Sequence, residues 1–348
     1  SWGRGPDFCA NDAAGDPGQS CWTWYSGQSM SLDSAAYNYP DLAVLFSMGN
    51  DGRDCYYTSY ATDDPPNPPV CPGGKNGEIN IGAMNQQANA KNIIAVGASE
   101  SARSNTGISL YDRSYSSLYG GVYYGNPING DKSADTNLND FSTEGMWANS
   151  NRGPAEDGRI KPDIVAPGSM ILSTRSELAA DRPGEDMGDY YTVKSGTSMA
   201  TPITAGAVAL LIEYLNNYGY DCNLAISPSS NNCPDAALMK GILAASAHDM
   251  NGQYSSGGDG QNGAVEKTPN EHEGWGRVDL QTAIGSPFTE GIEITTLDSH
   301  SFKLSVPDTG LSEMRIALSW HEQANSASSS IQLRNDLDIQ IISPTGDI

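Results

Sequence analysis

The string Ser195-Gly196-Thr197-Ser198-Met199-Ala200-Thr201-Pro202 leads directly into an apolar stretch that ends near Leu215. Apolar residues occur on nearly all sides of this stretch, and Pro202 stands near its start, where proline disturbs a helix least. The pattern predicts a buried helix from Ser198 to about Leu215. A serine at its N-terminus would lie where backbone N–H groups and the helix dipole can stabilise a developing oxyanion. By position alone, a hydroxyl that merely caps the helix explains the string equally well.

Three short apolar runs, at residues 42–49, 92–98 and 164–168, predict strands that are buried on both faces. Strands of that kind imply a parallel sheet covered by helices, which is an α/β fold. The first run ends in Asn50-Asp51-Gly52, a turn signal that places a polar residue at the C-terminal end of a strand. Apolar residues at helical spacing predict another helix from Pro234 to Ala247.

The pattern changes after about Gly285, where polar and apolar residues alternate in short runs at 301–306, 314–320 and 337–342. Such alternation predicts half-exposed antiparallel strands. We therefore place a domain boundary near residue 287, with one domain over 1–287 and another over 288–348. The second would hold about four strands, too few to close a sandwich without exposed edges. We expect it to be part of a small antiparallel β-domain.

The 348 residues carry a formal net charge of −23, and no run of Lys or Arg gathers the few positive charges. Nucleic acid and anionic membranes are poor partners for such a surface. The acid excess is explained by solubility, by carboxylates that bind calcium, or by both. The sequence contains no stretch of 18 apolar residues, so we expect no membrane insertion.

Six cysteines fall into three close pairs, each in a stretch rich in Gly, Pro, Asn or Ser: Cys9 and Cys21, Cys55 and Cys71, Cys222 and Cys233. Their spacing and surroundings favour a disulfide within each close pair. Zinc binding is the alternative, which the lack of a C-x-x-C spacing and the presence of only four His disfavour. Disulfides imply an oxidising compartment, so we expect an extracellular, secreted protein.

The string from Gly196 to Pro202 resembles the active-serine signature of the subtilisin family. Further landmarks resemble that family in the same order along the chain, with insertions between them. They are Ser1-Trp2-Gly3, Gly49-Asn50-Asp51-Gly52, Asn151-Arg152-Gly153-Pro154, Lys161-Pro162-Asp163, Ala166-Pro167-Gly168 and Gly274-Trp275-Gly276-Arg277-Val278. Together with Asn335-Asp336-Leu337-Asp338, they resemble the branch of alkaline subtilases that carries a C-terminal β-barrel domain.

The resemblance implies a serine endopeptidase that cleaves proteins through an acyl-enzyme on Ser198. It also implies that the side-chain amide of Asn50 and the backbone N–H of Ser198 stabilise the oxyanion, with Gly49 and Thr197 beside them at the substrate. An Asx turn explains Asn50 as well. Ser1, Trp2 and Gly3 would pair with extended substrate backbone as an added strand, although Trp2 is also explained by packing alone.

The family's catalytic triad occurs in the chain order Asp, His, Ser. Both partners of Ser198 would lie upstream of the segment that Ser1-Trp2-Gly3 resembles. We therefore expect an N-terminally incomplete peptidase domain, whose Asp and His are supplied by an N-terminal fragment of the same precursor. All four histidines of the chain follow Ser198, and none stands in a His-Gly-Thr-His context: His248, His272, His300 and His321.

Calcium enters only through the resemblance, which implies Asp338, and with less support Asp336, as ligands in the second domain. Exposed strand carboxylates are the alternative. Two positions depart from the family pattern. Gln87-Ala88 stands where many relatives carry Pro-Gly, so a side-chain preference cannot be transferred, and His321-Glu322 follows Trp320, where no metal ligand can be carried over.

Three functions are consistent with these residues. The first is an endopeptidase of which this chain is one piece, and the second is a non-catalytic subtilase-fold protein that serves as a binding or surface-structural module. The third is an esterase or peptide ligase on the same fold, because nucleophiles other than water can resolve an acyl-enzyme. Ser198 and Asn50 together favour the first, since a non-catalytic protein has no physical need of both.

We predict three local disulfides, each closing a loop of roughly 10–17 residues that would contribute about 3 kcal/mol by restricting the unfolded chain. Mass spectrometry of a non-reduced digest should detect Cys9 joined to Cys21, Cys55 to Cys71, and Cys222 to Cys233. Free thiols, or crosslinks between different pairs, would contradict the prediction.

Overall fold

A three-stranded parallel sheet forms the centre of the computed structural model. The structure describes residues 25–50, 52, 79, 82, 84–101, 145–147, 149–169, 171–178, 186–187, 189–218, 233–250, 267–296, 298–305 and 313–343. The strands are β1 (Leu45–Ser47), β2 (Ile94–Ser99) and β3 (Ile164–Pro167), in the spatial order β1-β2-β3. All six residues of β2 are buried, as expected of the middle strand in a covered parallel sheet. The three predicted strands and their parallel arrangement are confirmed.

Helices pack on this sheet and close the core. They are α1 (Gly27–Asn38), α2 (Thr197–Asn216), α3 (Ala236–Ser246) and α4 (Leu280–Ala283), with a short 3₁₀ helix at Gln86–Asn89. Helix α2 lies against all three strands, and its buried side chains meet those of β2 and β3 in one apolar cluster. Both predicted helices are confirmed to within about two residues at each end, which is the usual uncertainty of helix boundaries.

Helix α2 is also the one helix among the described residues that is long and apolar enough to cross a membrane. Eight of its residues are nevertheless buried: Thr197, Ala200, Thr201, Thr204, Ala207, Val208, Leu211 and Leu215. A helix in the core of a protein can have the same length and composition, so these two properties do not by themselves indicate a membrane span.

Several elements were not predicted, among them helix α1 and a second sheet. Helix α1 begins after Ser26, whose side chain accepts hydrogen bonds from the N–H groups of Gln28 and Ser29, while the Ser29 side chain accepts one from Ser26 N. A small antiparallel sheet is formed by β4 (Ile171–Thr174), β5 (Asp186–Met187) and β6 (Tyr191–Lys194), in the order β4-β6-β5. Strand β6 ends two residues before Gly196, so this sheet leads the chain to the start of α2.

A buried carboxylate attaches α1 to the main sheet. Asp33 is fully buried, and its Oδ1 accepts hydrogen bonds from the backbone N–H groups of Lys91 and Asn92, each at 2.8 Å. Its Oδ2 accepts a 2.7 Å hydrogen bond from the hydroxyl of Tyr25. Burial, followed by the hydrogen bond and charge of Asp33, raises the pKa of Tyr25, so the hydroxyl stays protonated. Helix α1 is therefore fixed at the amino end of β2.

The strands predicted after residue 287 do not form in the described residues, because 288–296, 298–305 and 313–343 contain no β-strand. Apolar side chains that were expected to alternate between a core and solvent are instead exposed, among them Phe302, Leu304, Ile339 and Ile341. An alternating pattern produces a strand only where a neighbouring strand supplies hydrogen bonds and a second layer covers the apolar face. The boundary near residue 287, and the assignment of 288–348 to a separate domain, stay predictions.

Residues 313–343, which we call the C-terminal segment, are attached to the rest of the chain by a buried ion pair. Lys91 Nζ lies 2.6 Å from Glu322 Oε2, with side-chain exposures of 5% and 3%. Burial alone would raise the pKa of Glu322, but the hydrogen bonds from Lys91, Arg334 N and Trp320 lower it overall. Lys91 Nζ also donates to the carbonyl oxygens of Gln323 and Gln332. Both charges are therefore well solvated by protein groups.

Replacing Lys91 by Met should destabilise the fold by about 3–5 kcal/mol, because Glu322 would remain buried without its cation. The matched control is Lys267→Met, since Lys267 pairs with Glu313 at 3.3 Å on the surface, with exposures of 77% and 45%. That change should cost no more than about 1 kcal/mol. Urea unfolding would measure both variants. Equal effects would show that burial of the Lys91–Glu322 pair does not set its contribution.

Candidate active site

Hydrogen bonds join the loop after β1 to the first turn of α2. Asn50 Oδ1 accepts from the backbone N–H and from the hydroxyl of Thr197, each at 2.9 Å. The same hydroxyl oxygen accepts from Gly49 N at 3.2 Å. Since both described hydrogen bonds of Asn50 use its Oδ1, its Nδ2 faces away from Thr197 and is available as a donor.

Ser198 lies in the first turn of α2, next to Thr197. Its backbone N–H has no acceptor inside the helix, as is general for the first turn. The residue is half-buried, and no described residue forms a hydrogen bond with its Oγ. Gly196 precedes the helix with φ +155°, and a Cβ there would lie 3.4 Å from Asn50 Nδ2. The Asn50 amide therefore lies beside Gly196, two residues before Ser198.

The site lies at the carboxyl edge of the parallel sheet. Gly168 follows β3; its N–H donates to Ser99 O at the end of β2, and its carbonyl accepts from Gly196 N. A Cβ at Gly168 would lie 2.6 Å from Ala98 Cβ and 2.8 Å from Gly196 O. A side chain there would force α2 away from the sheet, so the glycine allows Ser198 to approach the strand ends. Ligands of open α/β sheets generally bind at this edge.

A buried cation supports the turn beside the Asn50 loop. Arg152 is 1% exposed and donates to the carbonyl oxygens of Trp147 and Ser150 and to Nδ1 of His272. Burial lowers the pKa of Arg152 to about 9, so it remains charged at neutral pH. Burial and the neighbouring Arg152 charge lower the pKa of His272 to about 3, which keeps the imidazole neutral and able to accept the hydrogen bond.

At the amino end of the sheet, Asp163 connects the start of β3 to neighbouring segments. Its Oδ2 accepts from Lys161 Nζ and from Ala95 N, each at 2.7 Å, and its Oδ1 lies 2.8 Å from Lys240 Nζ. Burial lowers the pKa of Lys161 to about 8, although the Asp163 charge opposes this change. These contacts lie at the amino end of the sheet and hold the strands that carry the site.

The structure brings together four of the residues singled out in the sequence: Gly49, Asn50, Thr197 and Ser198. Ser1, Trp2 and Gly3 lie outside the described residues. The four histidines are all described, and none forms a described hydrogen bond with Ser198. His321 Nε2 instead accepts the N–H of Ala237 at the start of α3. No histidine in the described part of the chain is therefore hydrogen-bonded to Ser198 as its general base would be.

The described residues do not test the calcium prediction in full, but they show where its ligands lie. Asp336 and Asp338 are both exposed, and within the described ranges no three His, Cys, Asp or Glu residues are grouped as a metal site requires. Calcium also binds backbone and amide oxygens, so binding at Asp338 and Asp336 stays a prediction.

Cys233 is engaged in a disulfide. The other five cysteines lie outside the described residues, so the predicted pairings stay predictions: Cys9, Cys21, Cys55, Cys71 and Cys222.

The family model Peptidase_S8, described as the subtilase family, matches residues 1–276. The chain belongs to the subtilase family. The sequence landmarks around Ser198 and Asn50 therefore identified the family correctly, and their proximity in the structure agrees with this membership.

Among curated relatives, this subtilase is 27% identical over 267 residues to the serine protease/ABC transporter B family protein tagB of Dictyostelium discoideum. The match covers 66% of this chain and 12% of tagB. It is 40% identical over 82 residues to the serine protease AprX of Bacillus subtilis, covering 23% of this chain and 19% of AprX. The chain thus spans less than a fifth of the length of these two relatives.

Solved structures give a weaker likeness. A lanthipeptide protease is 16% identical with a TM-score of 0.40, covering 73% of this chain and 54% of the other. Fervidolysin from Fervidobacterium pennivorans, described as a keratinolytic enzyme related to subtilisin, is 20% identical with a TM-score of 0.33. That match covers 71% of this chain and 23% of fervidolysin.

The buried His272 should make stability depend on pH. Its pKa of about 3 lies below the value of about 6.5 in an unfolded chain, so the unfolded state binds more protons between these values. This contribution is complete above about pH 6.5 and is lost as the pH falls, by up to about 1.4 kcal/mol per pH unit. His272→Asn keeps an acceptor for Arg152 without a titrating ring, so it should flatten this dependence.

Urea unfolding at several pH values between 7.5 and 4.5 would measure the slope for both proteins. His300→Asn is the control, because His300 is exposed and should leave the slope unchanged. Parallel slopes for the native protein and His272→Asn would contradict the prediction.

Proposed function

We propose that this subtilase is a serine endopeptidase whose nucleophile is Ser198. The observation that supports this proposal best is the arrangement of two donors around one hydroxyl. Asn50 uses Oδ1 to bind Thr197, which leaves Nδ2 as a donor, and the backbone N–H of Ser198 has no intrahelical acceptor. Two such donors beside a serine provide what a tetrahedral intermediate of acyl transfer requires.

In the proposed reaction, Ser198 Oγ attacks the carbonyl carbon of a peptide bond while a histidine accepts its proton. Asn50 Nδ2 and Ser198 N–H stabilise the negative charge on the former carbonyl oxygen, and one such donor contributes roughly 3–4 kcal/mol. The protonated histidine then gives its proton to the leaving amine, and water hydrolyses the acyl-enzyme on Ser198. The histidine and its aspartate partner would come from an N-terminal segment of the same precursor, docked at the carboxyl edge of the sheet.

Protein or peptide chains are the proposed substrates, and an extracellular location is proposed from the six cysteines.

A structural calcium ion at Asp338 and Asp336 is a separate proposal, which would require further oxygen ligands besides these two carboxylates. The function does not depend on it, because Ser198 and Asn50 have no described contact with the C-terminal segment.

The non-catalytic alternative predicts a Ser198 hydroxyl that never reacts. A fluorophosphonate probe distinguishes the two, because it phosphonylates a serine only where a base and an oxyanion site activate the hydroxyl. A preparation that contains the upstream Asp and His should be labelled at Ser198, as shown by peptide mass spectrometry. The Ser198→Ala variant should not be labelled there.

A second comparison tests the need for the upstream segment. Residues 1–348 alone should react at least about a thousandfold more slowly, because loss of a triad member leaves only the help of the oxyanion site. Rapid labelling of residues 1–348 alone would show that another residue is the base. No labelling of a preparation proven to contain both segments would favour the non-catalytic alternative.

A further inference from the structure

The turn that carries Asn50 is held from behind by two buried side-chain amides. Asn85 and Asn151 are 4% and 1% exposed. Asn85 Nδ2 donates to Ser47 O at 3.0 Å, and Asn151 Nδ2 donates to Met48 O at 3.2 Å. These contacts join segments that are 38 and 103 residues apart in the chain.

The backbone carbonyls that lead to Asn50 have partners on the same two residues. Met48 O accepts a second hydrogen bond from Asn85 N at 2.8 Å, and Gly49 O accepts from Asn151 N at 3.1 Å. Two separate segments thus hold the three consecutive residues before Asn50. These hydrogen bonds fix the direction of the backbone that leads to Asn50, and none of them involves α2.

Asn151 also occupies the space that a side chain at Gly49 would need. Gly49 has φ +114°, and a Cβ built there would lie 2.3 Å from Asn151 Nδ2. The Asn151 amide is therefore packed directly against the Gly49 backbone. If this amide turned or withdrew, the turn could relax toward the vacated space, and Asn50 would move with it.

Arg152 makes the position of Asn151 rigid. Its guanidinium binds the carbonyl of Ser150 at 2.6 Å, and the hydroxyl of Ser150 accepts from Ala98 N in β2 at 3.0 Å. The turn that carries Asn151 is thus tied to the central strand. It provides a fixed reference against which the Asn50 loop is placed.

We propose that Asn151 is a positioning residue for the proposed oxyanion donor Asn50, acting through the hydrogen bond to Met48 O and the contact with Gly49. The inference rests on the proposed function, in which Asn50 Nδ2 binds the oxyanion. A misplacement of a reacting group by about 1 Å can cost about a hundredfold in rate. Loss of the Asn151 contact should therefore act on kcat and leave substrate binding largely unchanged.

The test variant is Asn151→Asp, which preserves size but replaces the donor with an acceptor that faces Met48 O. In the active preparation used for labelling, kcat should fall between about 10- and 100-fold while KM changes less than about twofold. In an Asn50→Ala background, the same change should lower kcat by less than about twofold, because the group being positioned is already gone. A native kcat in Asn151→Asp, or equal losses in both backgrounds, would overturn the proposal.

Asn92→Asp is the matched control. Asn92 is also a buried amide, but it lies before β2 at the opposite edge of the sheet, where its Nδ2 donates to the carbonyls of Asp33 and Glu322. This variant should lose stability and keep its kcat within about twofold. If Asn151→Asp does not fold, Asn151→Ala removes the same donor without introducing a charge and should give the same kinetic pattern.

Amide hydrogen exchange separates failure of this proposal from failure of the proposed function. If native Ser198 is never labelled, the proposed function fails, yet exchange at Gly49 N–H still reports on the turn. Asn151→Asp or Asn151→Ala should speed that exchange at least about tenfold, and Asn92→Asp should not. Unchanged exchange at Gly49 would overturn the positioning role independently of any activity.

Discussion

The hydrogen bonds from Thr197 to Asn50 Oδ1 are the contact on which the site depends. They determine which end of the Asn50 amide binds the helix, and thereby leave its Nδ2 free to donate elsewhere. The contact also joins the end of β1 to the start of α2, two elements separated by almost 150 residues. A small shift of either element would break these hydrogen bonds, so in the proposed reaction the rigidity of the surrounding core determines where the Asn50 amide lies.

Electrostatics around this core show how an acidic chain uses its few cations. Of its 19 Lys and Arg residues, Lys91, Arg152 and Lys161 are almost fully buried. Lys91 and Lys161 are paired with the carboxylates of Glu322 and Asp163, whereas the described contacts of Arg152 are carbonyl oxygens and a neutral imidazole. Burying a charge is costly unless such partners surround it, so each cation specifies one arrangement of the segments that contact it.

Local pattern in the sequence was sufficient for the central architecture. Continuous apolar runs predicted the three parallel strands, and the stretch after Ser198 predicted α2, because burial on all sides requires apolar residues throughout. The family resemblance placed Asn50 and Ser198 in one site. What pattern could not supply was the partner of each polar residue: Asn151 stood in a recognised motif, but its contact with Met48, 103 residues earlier, has no local signal.

The differences between the predicted and the observed elements have equally physical causes. The residues of α1 have almost no apolar face, so periodicity could not reveal the helix, and its position depends on the contacts of Asp33 with Lys91 and Asn92. Alternation after residue 287 predicted strands that the described residues do not form, since alternation specifies two faces and not the strand that must pair alongside. The role of Glu322 was also missed, because its cation lies 231 residues away.

The two ends of β2 serve different purposes. Before its first residue, Lys91 and Asn92 hold α1 and the C-terminal segment, while its last residue, Ser99, contacts the Gly168 turn beside α2. Six residues of extended chain separate these ends by about 20 Å. Mutations at the amino end of β2 can change thermal stability without changing the residues at its carboxyl end, where the candidate site lies. A lineage of such proteins could therefore adapt to a new temperature and keep its chemistry, because selection acts on the two properties through separate sets of residues.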